Sequence, residues 1–212
     1  MVETGTAKCT RSTRCALRRL RSQHAFEVSI MSDSDSPPDP ADRSLRLAMP
    51  SVDDGAALWR IARDSHVLDV NSPYAYLLWC RDFAATSAVA RLGTGGRVVG
   101  FVTGYVRPDD PSVLMVWQVA VDAAARGHGV AGALLDRIFA EAHRRAPSIA
   151  FLETTITDDN PASHRLFEAF ATRHGTELSR SALFEAKHFP GDSGDDHAAE
   201  LLHRIGPIAW GP

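Results

Sequence analysis

Residues 113–131 read Val113-Leu-Met-Val-Trp-Gln-Val-Ala-Val121, then Asp122-Ala-Ala-Ala-Arg126-Gly-His-Gly-Val-Ala131. The first nine are apolar except Gln118, and four are valine, which predicts a long buried strand. The next ten carry four alanines, an arginine and two glycines, and they open a helix. Leu134, Leu135, Ile138 and Phe139 give that helix one apolar face as far as about Arg145. A strand that turns into a helix aims unpaired backbone N–H groups, and the positive end of the helix dipole, at whatever lies in front. Gly127 and Gly129 remove side chains from that approach, and Arg126 adds a full charge. One glycine alone reads as an ordinary strand–helix turn. The combination predicts an anion, a phosphate above all, held by Arg126, Gly127, His128, Gly129, Val130 and Ala131.

Two familiar phosphate loops compete for this segment. Gly127-x-Gly129-x-x-Gly132 matches the dinucleotide fingerprint, and Glu153 stands 21 residues beyond Gly132. Against it, five residues (122–126) separate the strand from the first glycine, and an antiparallel hairpin precedes the unit. Only about eighty residues follow, too few for a usual second half. A P-loop is excluded because no Gly-Lys-Ser/Thr follows.

Outward from this unit the chain alternates in period. Ser51 with Asp54 forms a capping-box start, and Leu58, Ile61 and Ala62 give a helical face to about Arg63. Asn71-Ser72-Pro73 starts a second helix, expected to run to Phe83 and to carry Leu77, Leu78 and Cys80. Thr86–Leu92 and Arg97–Tyr105 read as strands around a Gly93-Thr-Gly-Gly96 turn. After the central strand and the helix of 127–145 come a short buried strand at Ser148–Thr155 and a helix from Asn160-Pro161 to about Arg173. Strands with a loop are expected from Ser181 onward. The order is helix, helix, three antiparallel strands, helix, strand, helix, strand, an α/β domain with a mixed sheet.

Composition narrows the function classes. The 212 residues are 44% hydrophobic and 23% charged, which suits one domain with a tail. No apolar run approaches the ~20 residues of a membrane helix. Residues 1–30 balance at +4 and residues 31–212 at −7, so the folded part has no basic field for nucleic acid and suits a cationic small substrate. Cys9, Cys15 and Cys80 are an odd set without metal spacing, which points to a reducing, cytoplasmic setting and no metal site. Residues 1–44 read as a disordered leader or a misassigned N-terminal extension, with Met31 as a candidate start, and 45–212 as the domain, its regular pattern legible from about 49.

The strand–loop–helix unit resembles the GCN5-related N-acetyltransferase (GNAT) family, whose signature Gln/Arg-x-x-Gly-x-Gly/Ala is filled by Arg126, Gly129 and Ala131. The resemblance extends through Asn160…Leu166-Phe167. It implies a mixed, mostly antiparallel sheet flanked by helices, and acetyl-CoA as cosubstrate with its diphosphate on the loop. Asn160 would meet the pantetheine arm, although an Asn before a helix is equally a cap. Val119 and Val121 would line the acyl arm. Phe167 stands where many members have a tyrosine acid, and a phenyl ring cannot protonate a leaving thiolate.

Longer stretches are similar to one branch of that family, whose members acetylate the γ-amine of L-2,4-diaminobutyrate in ectoine biosynthesis, an osmoprotective route. These stretches are Val67–Leu78, Val98–Tyr105, Val116–Val121, Leu152–Thr155 and His197…Arg204-Ile-Gly-Pro207. The branch implies a homodimer and a small diamino-acid substrate, with no nucleic acid or membrane partner. Asp69 is expected to bind an ammonium group with Tyr74 beside it, although an Asp here is also a turn residue. Trp117 is expected to wall the reactive end of the cofactor, although a core Trp is the default. Gln118 would face away in a regular strand, and a bulge would change that.

The chemistry sets a demand. A γ-amine near the lysine value of ~10.4 is neutral in about one molecule in 2,500 at pH 7, and stripping its proton costs about 4.6 kcal/mol. Glu153, an acid in a buried strand, is the candidate general base, directly or through a water; pairing with an arginine is its structural alternative. His197 could shuttle the proton or hold the carboxylate. A backbone N–H near Val119 would polarise the thioester carbonyl for direct attack, with no cysteine nucleophile. Two other readings stay open: a GNAT enzyme acting on a protein amine or an antibiotic, and a nucleotide-binding module without catalysis.

Overall fold

The computed structural model describes residues 44–93, 96–189 and 198–209. Residues 1–43, on which the expected leader falls, residues 94–95 of the expected hairpin turn, and His197 lie outside them. In chain order the described residues form β1 (Leu45–Ala48), α1 (Gly55–Ser65), α2 (Pro73–Asp82), β2 (Ala88–Leu92), β3 (Val98–Val106) and β4 (Val113–Val121). Then follow α3 (Val130–Arg145), β5 (Phe151–Thr157), α4 (Pro161–Arg173), β6 (Leu178–Phe184) and β7 (Glu200–Ile205). None of the described helices is long and apolar enough to cross a membrane.

Local signals set most boundaries. The Ser51–Asp54 capping box is formed, and it opens a single 3-10 turn that runs into α1. The Ser72 hydroxyl accepts from the Ala75 N–H, and Pro73 takes the first position of α2. In α2 it is Tyr76 and Cys80 that bury, while Leu77 stays 38% exposed. The helix after the glycine loop begins at Val130 rather than Gly127, because Gly127 and Gly129 hold φ of +79° and +73°. β1 lies ahead of the residues where periodicity is legible; four residues with an exposed outer half give too short a pattern.

The seven strands form one sheet in the order β1-β2-β3-β4-β5-β7-β6. Neighbours are antiparallel except β4 and β5, which run parallel only from Val113–Met115 against Phe151–Glu153. Beyond Met115 the two strands part. α1 and α2 cover one face, burying Leu58, Ile61 and Tyr76 against Val89, Phe101 and Ala120. α3 and α4 cover the other, burying Leu134, Ile138, Phe139 and Phe170 against Leu114, Val116, Leu152 and Ile156. Each such side chain contributes about 1.5–3 kcal/mol by leaving water.

One irregularity shapes everything that follows. Gln118 stands opposite Thr103 and Val116 opposite Gly104, so Trp117 is an extra residue in β4, a bulge. Gly104 permits it: a Cβ there would sit 2.6 Å from the Met115 carbonyl oxygen. Before the bulge, Leu114 and Val116 face α3 and α4. After it, Ala120 faces α1 and α2, and Val119 and Val121 turn to the α3 side. Trp117 and Gln118, neighbours in sequence, therefore both point toward α2.

Candidate active site

A cleft of about 270 Å³ opens where β4 and β5 part, lined by Val119, Val121, Arg126, Ala131 and Asn160 among others. Its mouth is the glycine loop. A Cβ on Gly127 or Gly129 would meet nothing within 4 Å, so these glycines serve the backbone conformation and leave the approach bare. The first helical bond of α3 runs from Ala133 N–H to Gly129 O at 3.0 Å, so the N–H groups of Val130, Ala131 and Gly132 precede any intrahelical acceptor. Arg126 Nε donates to the Val121 carbonyl at 3.1 Å, tying the loop to the end of β4. His128 is exposed, and its Nδ1 lies 2.9 Å from the Arg126 carbonyl. Open main-chain donors, a cation and an adjoining slot between strands fit a diphosphate carrying an extended arm.

Asn160 serves as a cap: its Oδ1 accepts from the Ser163 N–H at 3.0 Å. The side chain also lines the cleft, and the cap bond does not use Nδ2. Phe167 is 1% exposed in the α3–α4 core, whereas its neighbour Leu166 reaches the cleft. Gly129→Ala tests the loop. Strain at positive φ costs about 1–2 kcal/mol, so the KM for the anionic cosubstrate should rise roughly 5–30-fold with kcat little changed, as steady-state kinetics would read.

The bulge builds the other side of β4. Trp117 stacks on Trp79 of α2 with centroids 4.7 Å apart and planes 17° from parallel. Tyr76 donates its hydroxyl hydrogen to Gln118 Oε1 at 3.1 Å, and burial raises the Tyr76 pKa so that it stays a phenol. Gln118 Nε2 donates in turn to the Asp69 carbonyl at 2.9 Å. This relay pins the loop between α1 and α2, whose Val67 and Leu68 line the cleft. Asp69 is thereby fixed at Gln118, as an exposed residue. Tyr74 is 66% exposed; the tyrosine that reaches the relay is Tyr76, two residues on.

Glu153 is 1% exposed and holds two arginines. Its Oε2 accepts from Arg107 Nη1 at 3.1 Å, and its Oε1 from Arg204 Nη1 at 2.5 Å. Both the expected burial and the structural alternative of arginine pairing are present. Both oxygens already accept hydrogen bonds, so taking up a proton requires one of them to let go. Leu152 and Ile156 face the α3–α4 core, so Glu153 points to the opposite face, the one that carries Trp117. In the parallel ladder Glu153 stands against Met115. Trp117 is about 7 Å further along β4 and Val119 about 13 Å, at ~3.3 Å per residue.

His203 is fully buried, but its ring lies 5.0 Å from His164 of α4, on the far side of the sheet from Glu153. Cys80 is buried and its thiol is pushed up to about 11 by that burial, so it is no nucleophile at neutral pH. Sequence reasoning missed Tyr76, Trp79, Arg107 and Arg204 as parts of this site. A glycine inside a strand, Gly104, was the available signal for the bulge.

With this geometry in hand, residues 56–171 match the model of the acetyltransferase (GNAT) family. A Streptomyces coelicolor protein described as L-2,4-diaminobutyric acid acetyltransferase is 57% identical over 171 residues, 81% of this chain and 98% of that protein. A protein of the same description from Halalkalibacterium halodurans is 39% identical over 173 residues, 82% and 87% of the two chains. Among solved structures, the diaminobutyrate acetyltransferase of Paenibacillus lautus, in complex with its substrate L-2,4-diaminobutyric acid and coenzyme A, aligns with a TM-score of 0.72. It is 33% identical, and the alignment covers 80% of this chain and 99% of that one.

Proposed function

The chain belongs to the acetyltransferase (GNAT) family, and from that premise we propose that it acetylates the γ-amine of L-2,4-diaminobutyrate, giving N4-acetyl-L-2,4-diaminobutyrate for ectoine biosynthesis. The observation that carries the reading is the bulge at Trp117. It sets an aromatic wall and the Gln118–Asp69 relay on one side of β4, beside a cleft and anion loop suited to coenzyme A. Relatives described as diaminobutyrate acetyltransferases support the choice of amine.

Bound acetyl-CoA supplies the acyl group as a thioester; a C–N bond forms as the C–S bond breaks, and the coenzyme leaves as the thiol. The chain's own residues do the rest. Main-chain N–H groups of residues 127–131 and Arg126 hold the diphosphate. The backbone at Val119 and Val121 orients the acyl arm, an N–H there polarises the carbonyl, and Asn160 meets the pantetheine amides. Asp69, with Tyr74 nearby, anchors an ammonium group. Trp117 walls off water and offers its face to the amine. Glu153 draws the first proton through a water, and His197 assists the relay or the carboxylate. The second proton departs with sulfur, delivered by water, since Phe167 has none to give.

The proposal includes a cytoplasmic homodimer with no nucleic-acid or membrane partner. β6 supports the pairing: it is one of the sheet's two outer strands, with Leu183 39% and Phe184 44% exposed. Incubation with acetyl-CoA and a panel of amines, followed by thiol detection, tests the activity. Thiol release with diaminobutyrate, and NMR assignment of the new amide to the γ-nitrogen, is the expected result. Release only with peptide termini, lysines or an antibiotic amine would replace the substrate, and no release with any amine would remove the enzyme reading.

A further inference from the structure

The face of the sheet that carries Trp117 also carries two guanidinium groups the proposed steps leave without a role. Arg107 follows β3, and its backbone N–H donates to the Val113 carbonyl at 3.0 Å, fixing it at the start of β4. Arg204 lies in β7 directly opposite Glu153, with its guanidinium carbon 4.0 Å above the centre of the Phe151 ring. Glu153 joins them, one oxygen to each. Asp110, 3.7 Å from Arg204 Nη2, is the other acid at the pair, and the Ser112 hydroxyl holds its carboxyl below the usual range.

A guanidinium has five N–H donors in a planar fork. Arg107 and Arg204 each give one Nη to Glu153, and both side chains remain about a third exposed, at 37% and 32%. The buried carboxylate therefore holds the two forks in position, and apart from the Arg204 Nη2 that reaches Asp110, each side chain keeps a part open to solvent. Planar, charge-assisted forks of this kind are suited to a carboxylate. The spacing agrees: an α-carboxylate and a γ-nitrogen lie about 5–6 Å apart in an extended four-carbon chain, by summed bond lengths near 1.5 Å. An acid seated at the Glu153 end would bring its far amine up to Trp117, about 7 Å along β4 from the position paired with Glu153.

We propose that Arg107 and Arg204 form the seat for the substrate's α-carboxylate and so select a diamino acid over a plain diamine. This rests on the acetyltransferase reading above. The same two arginines then fix which end of the substrate faces the thioester, and hence which nitrogen is acetylated.

The test compares three amines with the full-length enzyme and acetyl-CoA: diaminobutyrate, its carboxamide, and 1,3-diaminopropane. The unmodified enzyme should favour diaminobutyrate over both others by at least ~30-fold in kcat/KM, the loss expected for charge-assisted bonds worth about 2–3 kcal/mol. Arg107→Gln and Arg204→Gln should each collapse that preference to a few-fold. Efficient use of diaminobutyrate with equal use of the diamine would overturn the seat and leave the acetyltransferase reading intact. So would variants that lose activity on all three amines in proportion, with a lowered melting temperature, since that marks a structural role. Absence of any turnover of diaminobutyrate by the unmodified enzyme would overturn the reading itself, and the seat with it.

Discussion

Glu153→Gln is expected to lower kcat about 10²–10³-fold, within the range of a lost general base, and to raise the KM for diaminobutyrate as well, because the carboxylate that holds Arg107 and Arg204 is gone. The reasoning starts from the proton. About 4.6 kcal/mol separates the ammonium from the reactive amine at pH 7, and an acceptor on the Trp117 face must offset much of it. Glu153 is the buried acid there, and glutamine keeps its shape while removing its ability to bind a proton. The substitution also places an amide N–H₂ against a guanidinium, donor to donor. That cost is limited, because Arg107 and Arg204 are 37% and 32% exposed and can rehydrate. A thermal melt separates the two effects: a drop in kcat without a matching drop in stability assigns Glu153 to the proton path. A loss confined to KM would instead make Glu153 an anchor for the α-ammonium group.

The parts of the site legible in the sequence are those whose physics is local. A capping serine, a proline at a first helical position and glycines at a helix start act within a few residues, so Ser51, Ser72 and the 126–131 loop were readable in advance. The cleft was not, because it depends on β4 and β5 separating after Met115, a fact of pairing rather than composition. The direction of Gln118 was not either. Period-two reasoning sends residues 117 and 118 to opposite faces, and one extra residue in β4 sends them to the same one. Gly104 carries the trace of that bulge, since any side chain there would collide with the Met115 carbonyl. Arg107 and Arg204 are 97 residues apart in sequence and are joined in space by their hydrogen bonds to Glu153, so no motif could join them.

Asp69→Ala is expected to raise the KM for diaminobutyrate roughly 10–100-fold, the equivalent of a charge-assisted contact of about 1.5–3 kcal/mol, with kcat nearly unchanged. The geometry makes this a clean substitution. What positions the loop is the Asp69 main-chain carbonyl, gripped by Gln118 Nε2, and alanine keeps that carbonyl. Asp69 itself is exposed, so removing its carboxylate leaves the core packing untouched. Asp69→Asn should lose nearly as much affinity, because the demand is for negative charge opposite an ammonium group rather than for a hydrogen-bond acceptor. Gln118→Ala approaches the same loop from behind. It frees the Asp69 carbonyl and leaves the buried Tyr76 hydroxyl without its acceptor, so it should cost about 1–3 kcal/mol of stability as well as substrate affinity. The two variants therefore diverge in a melt and agree in KM. If Asp69→Ala lowered kcat instead, its carboxylate would lie on the proton's route. The acid held between two arginines would then be the one that fixes the substrate in place.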